Sequence, residues 1–168
     1  YGDATILPGL VDAHTHLISP GDGTSGDDTA QEADAILLLR AARNARTILR
    51  SGATTVRDNG AKNQVAFSLR EGLGRGLVVG PRVVICGRPI TMTGGHMWYF
   101  GSEADGTDRV RAEVRRLLKE GADYIKIVAS GGSTRSSDSR RASYTVAELQ
   151  AITAESRRHG KLTAAHCA

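Results

Sequence analysis

Apolar residues fall along the chain in two alternating rhythms. Short runs, Leu10–Leu17, Ala53–Val56, Val83–Cys86, Tyr124–Val128 and Leu162–His166, have the length and content of strands. Between them the apolar positions return at helical spacing: Ile36, Leu37, Ile48 and Leu49; a weaker stretch from Asn63 to Leu73; Val110, Val114, Leu117 and Leu118; and Val146, Leu149 and Ile152. Thr29-Ala30-Gln31-Glu32 and Thr145-Val146-Ala147-Glu148 both have the form of a capping box, which predicts helix starts there. Gly52, Gly121 and Gly160 follow helical stretches and predict their ends.

The repeating unit is therefore a helix, a glycine, a short apolar strand and a polar residue at the strand's end. Short helix-to-strand turns and longer strand-to-helix loops imply a parallel sheet with right-handed crossovers. Such a sheet is either doubly wound or an arc of a (β/α)8 barrel. No G-x-G-x-x-G follows the first strand, and Gly131-Gly132 lacks a third glycine, so the dinucleotide reading is weak. Polar residues end several different strands, as they do around a barrel mouth. The predicted class is α/β, a partial (β/α)8 TIM barrel made of strands 1 to 5 with their helices, over residues 10–168.

With 168 residues, 40% of them hydrophobic, the chain holds enough apolar surface for one ordinary core. Its net charge of +4 is carried mainly by arginines on helical patterns or in one loop, and with aromatics at 4% base-stacking platforms are scarce, so no nucleic-acid partner is expected. The longest purely aliphatic run, Ala35–Leu39, is too short to span a bilayer, and no signal-peptide pattern appears. Cys86 and Cys167 lie in or beside apolar strands and read as reduced core residues of a cytoplasmic protein. A homo-oligomer is compatible with this composition. The start at Tyr1 and the stop at Ala168, just after a strand, lead us to expect part of a longer protein.

Candidate chemistry sits at the strand ends. His14 and His16 are two apart, so in a strand both imidazoles share a face, a geometry suited to a metal ion, although such a pair also occurs on solvated edges. Lys126 lies between two isoleucines, where an unpaired ammonium is costly. Four readings follow: a core lysine paired with a carboxylate, a lysine on an edge strand, a Schiff-base nucleophile of lowered pKa, or a lysine carboxylated by CO2 to a carbamate that bridges two cations. His166 ends the fifth strand and is a ligand candidate in company with the others. His96 lies in the loop Thr93-Gly94-Gly95-His96, with a site role or a surface role open. Met97-Trp98-Tyr99-Phe100 beside it suits a pocket wall or simple burial of the loop. Asp58, before Asn59-Gly60, suits either a site or a turn.

The run Ile6-Leu7-Pro8-Gly9-Leu10-Val11-Asp12-Ala13-His14-Thr15-His16-Leu17, the strand Tyr124-Ile125-Lys126-Ile127-Val128-Ala129-Ser130-Gly131-Gly132 and the strand Thr163-Ala164-Ala165-His166 resemble the amidohydrolase superfamily, in its imidazolonepropionase-like, prolidase-like branch. The resemblance implies that His14 and His16 bind the more buried of two metals, usually zinc. Carboxylated Lys126 bridges it to a second metal, which His166 binds, and His96 contacts substrate. It also implies that residues 1–9 are the end of a β-sandwich segment. A further metal histidine after strand 6 and the general-base aspartate after strand 8 are expected beyond Ala168.

The expected activity of the parent protein is metal-dependent hydrolysis of an amide, peptide or cyclic amide C–N bond through a metal-bridging hydroxide. The partner would be a small-molecule amide or dipeptide. Two rivals stand beside it: a Schiff-base lyase or aldolase using Lys126, and a non-catalytic metal-binding barrel fragment.

Overall fold

The computed structural model describes residues 2–168. Its strands are β1 (Leu10–Thr15), β2 (Ala53–Asp58), β3 (Arg82–Ile85), β4 (Ile125–Val128) and β5 (Thr163–His166). The helices are α1 (Gly26–Thr29), α2 (Asp34–Arg50), α3 (Val65–Gly74), α4 (Thr107–Lys119) and α5 (Val146–Arg158). Strands β1, β2 and β3 form one parallel sheet in sequential order, and β4 pairs in parallel with β5. The two pieces join through Ile90, whose N–H donates to the Lys126 carbonyl at 2.9 Å and whose carbonyl accepts the Val128 N–H at 2.9 Å. The strands thus follow one another in chain order around an arc. A doubly wound sheet reverses direction at its switch point, so sequential order marks a barrel segment.

The helices cover the outside of the arc. Leu37, Ala41 and Ala45 of α2 and Leu69 of α3 pack on Val56 and Ile85, while Val110, Val114 and Leu117 of α4 and Ile152 of α5 pack on Ile125 and Ile127. Gly52 and Gly121 end α2 and α4 at φ of +97° and +98°, where a side chain would be strained. Thr145 and Glu148 form the expected reciprocal cap of α5.

Other expectations need correction. The Thr29–Glu32 capping box does not form: Ser25 caps the extra short helix α1, and α2 begins only at Asp34. Glu32 pairs instead with Arg40 at 2.6 Å, so its carboxylate is not free to close the cap. Within α2, Ile36 is exposed and the inward face is carried by Leu37 and two alanines, small enough to bring the helix close to the sheet. Val146 is likewise exposed at the first turn of α5. Strand β1 ends at Thr15 rather than Leu17, and Leu10 and Val11 are exposed because β1 pairs on one side only, with β2. Cys86 is buried as expected, whereas Cys167, one residue past β5, is exposed and not a core residue; both are free thiols. No helix among the described residues is long and apolar enough to cross a membrane.

Candidate active site

The long loops all leave the C-terminal ends of the strands, and there the candidate residues gather. His14 sits in a bulged part of β1: from Asp12 to Thr15 that strand advances three residues while β2 advances two. A bulge re-aims a side chain, and the His14 and His16 rings come to lie edge-on with centroids 5.7 Å apart. His14 is exposed and His16 half-buried beside Phe100.

Strand β4 is the opposite case, buried at every position. Lys126 at its centre is 2% exposed. No carboxylate among the described residues lies within ion-pair reach of it. Burial is the largest cause holding its pKa below the ordinary lysine value, and the Arg57 guanidinium adds to it. Arg57 is fixed in turn by a hydrogen bond to the Ala13 carbonyl at 2.7 Å and by the face of the Tyr124 ring. The mouth therefore holds two basic side chains, Lys126 and Arg57.

Two of the histidines have their tautomers set by the backbone. His16 Nδ1 lies 3.0 Å from the Gly60 carbonyl, and a carbonyl can only accept, so Nδ1 carries the proton and Nε2 keeps its lone pair. His166 shows the mirror arrangement: Nε2 donates to the Gly131 carbonyl at 3.1 Å and Nδ1 keeps its lone pair. A carbonyl behind the far nitrogen is the usual support of a metal-binding imidazole. Burial, followed by the neighbouring basic groups, lowers the pKa of His14; burial also lowers that of His16 against the opposing Gly60 hydrogen bond. Both effects favour the neutral, ligating form.

His96 is buried, which settles its open placement. Its ring lies 4.6 Å from that of His166, and burial followed by the His166 charge pushes its pKa down to about 4. With His16, Ile18, Tyr99 and Phe100 it lines a cavity of about 180 Å3. The expected wall residues divide: Phe100 is buried against the site and Trp98 faces solvent. Asp58 is buried at the end of β2, accepting the Gly60 N–H at 2.9 Å, while its Oδ2 has no partner; burial pushes its pKa up to about 6.

Among the described residues no three His, Cys, Asp or Glu side chains already stand as a closed metal cage. The donor set instead divides into the His14–His16 pair, at which the Lys126 amine charge is felt, and the His166 ring. Nitrogen donors in this protonation state fit a zinc-like divalent cation. Sequence reasoning missed Gly60, Gly131, Arg57 and Thr134. Backbone carbonyls carry no side-chain signature, and each of these partners is distant in sequence from the group it holds.

Parallel strands in chain order, with imidazoles and a buried lysine toward their C-terminal side, define the class as an arc of a (β/α)8 barrel with a candidate cation site at its mouth. Comparison with known proteins specifies it: residues 5–168 match the amidohydrolase family model, and the chain belongs to that family. It is 30% identical to an ochratoxinase of Aspergillus niger over 96% of this chain and 38% of the relative. Among solved structures, a Xaa-Pro dipeptidase with methionine bound in its active site superimposes with a TM-score of 0.84 at 28% identity, over 95% of this chain and 43% of that one. A structure described as an amidohydrolase gives 0.81 at 32% identity, over 99% and 46%. The chain thus spans less than half the length of these relatives.

Proposed function

We propose that the protein to which this chain belongs hydrolyses an amide C–N bond, in a dipeptide, an N-acyl amino acid or a cyclic amide, with divalent cations held at the strand C-termini. The observation that carries this reading is Lys126: buried, with no carboxylate in ion-pair reach among the described residues, and with its charge felt at the imidazoles of His14 and His16. Family membership and the likeness to a Xaa-Pro dipeptidase and an ochratoxinase support the same bond class.

His14 and His16 would hold one cation, His166 a second, and Lys126 both, once carboxylated. The neutral amine that burial favours attacks CO2 and loses a proton, which replaces a buried cation by an anion beside Arg57. When bound, the cations polarise the scissile carbonyl and make water acidic enough to act as nucleophile near neutral pH. The Gly60 and Gly131 carbonyls hold the His16 and His166 rings in a tautomer that leaves the other nitrogen free to ligate. Ile18, Met97 and Phe100 give the cavity an apolar wall that would exclude water and receive an apolar substituent.

Activity of the full-length protein on Xaa-Pro dipeptides and N-acyl amino acids, before and after chelation, tests the proposal. Activity lost to chelator and restored by zinc is expected. The desolvated Lys126 amine would equally serve a Schiff-base lyase. Trapping of substrate on Lys126 by borohydride, with activity indifferent to chelator, would establish that second reading.

A further inference from the structure

His96 is wired in the opposite sense to His16 and His166. The Thr134 backbone N–H points at His96 Nδ1 at 3.3 Å, and an amide N–H can only donate. The Thr134 hydroxyl lies 2.7 Å from the same nitrogen and already accepts the Met97 N–H at 3.1 Å. Because Nδ1 accepts from that amide, the hydroxyl can meet the same nitrogen only by donating its proton to it. Nδ1 is therefore the acceptor of both Thr134 groups, and the ring proton resides on Nε2.

The surroundings lock this arrangement. Thr134 is 2% exposed, so water does not compete for its hydroxyl. Ser137 ties the loop by donating to the carbonyls of Gly132 and Thr134 at 3.2 and 3.0 Å. The His96 ring packs on Gly132, where a Cβ would come within 2.6 Å of its Nε2. Met97, next in the chain, holds a left-handed backbone at φ +61°, a conformation a methionine adopts only when its neighbours impose it, and its N–H is the one bound by Thr134.

We propose that Thr134 is a positioning residue that fixes His96 as its Nε2–H tautomer, making His96 a hydrogen-bond donor to a substrate oxygen, while its neighbour Gly131 fixes His166 as a lone-pair donor. One short loop after β4 thus assigns opposite roles to two adjacent imidazoles. The donor role rests on the amide-hydrolase reading; the tautomer assignment does not.

The test is NMR of the histidine ring nitrogens in the zinc-loaded full-length protein at neutral pH, with His96 signals assigned by their loss in His96→Asn. Wild type and Thr134→Ser should show protonated Nε2 and bare Nδ1 at His96. Thr134→Val should populate the Nδ1–H form, with the His166 signals unmoved as the check on folding; if it does not fold, Thr134→Ala takes its place. A protonated Nδ1 in wild type, or an unchanged pattern in both hydroxyl-free variants, overturns the assignment. On Xaa-Pro dipeptides and N-acyl amino acids, the hydroxyl-free variant should lose about tenfold in kcat with KM nearly constant, and Thr134→Ser should recover it. A changed tautomer with unchanged kcat overturns the donor role. A wild type inactive on all these amides counts against the amide-hydrolase reading and leaves the NMR result standing.

Discussion

Strands β1 and β4 carry the two halves of the candidate site in contrasting settings. Strand β4 is buried along its whole length and presents one functional side chain, Lys126, between Ile125 and Ile127 in the core. Strand β1 is bulged, pairs on one side, and leaves Leu10, Val11 and His14 exposed. The difference lies in what holds each group in place. Lys126 is positioned by packing, which is dense and stiff. The His16 ring, just past β1, is oriented by its hydrogen bond to the Gly60 carbonyl, and at His14 it is the backbone N–H that donates, to the Asp12 carboxylate at 3.0 Å. Packing keeps Lys126 from water, whereas a hydrogen bond orients the His16 ring and leaves it half-buried.

The sharpest way to break this comparison is at Lys126. In the full-length enzyme, Lys126→Met should lower activity by more than the roughly 100-fold expected from losing an outer-shell partner. In the metal-free protein, thermal stability should hold or rise, because an unpaired buried amine gives way to an apolar chain of similar length. A variant that unfolds would make Lys126 a structural residue. Next, Ile125→Ala in β4 should cost the 168-residue chain about 3 kcal/mol in urea denaturation, whereas Val11→Thr in β1 should stay within about 0.5 kcal/mol. Equal costs would erase the contrast.

Asp58 gives a pH test on the β2 side. Its folded pKa, about 6, lies above the unfolded value, so its contribution to stability is full below about pH 4 and is lost as pH rises through 6. Asp58→Asn should remove a pH-dependent component on the order of 2 kcal/mol from urea midpoints taken between pH 4 and 7. The smallest effect belongs to the α5 cap, which sets the approach to β5: Thr145→Ala should cost about 1 kcal/mol in the same assay.

Legibility in the sequence follows the same physical line. The barrel arc was readable because β4 and its helices bury apolar residues at regular spacing, and the glycines at 52 and 121 mark where the chain must turn. Lys126 stood out because an amine between isoleucines violates the hydrophobic pattern. The α2 start differs from the expected one because Glu32 of the Thr29–Glu32 box pairs with Arg40, and the helix begins after Ala33, which offers no side-chain cap to read. The tautomers of His16, His96 and His166 were not readable at all, since they depend on two carbonyls and a hydroxyl brought together by the fold.

Anomalous scattering from crystals of the full-length protein, grown with zinc and bicarbonate, tests the central claim most directly. The account predicts zinc peaks within bonding distance of His16 Nε2 and His166 Nδ1, with carbamate density continuous with Lys126 Nζ between them. A bare Lys126 and no metal at these nitrogens in the zinc-loaded protein would contradict it.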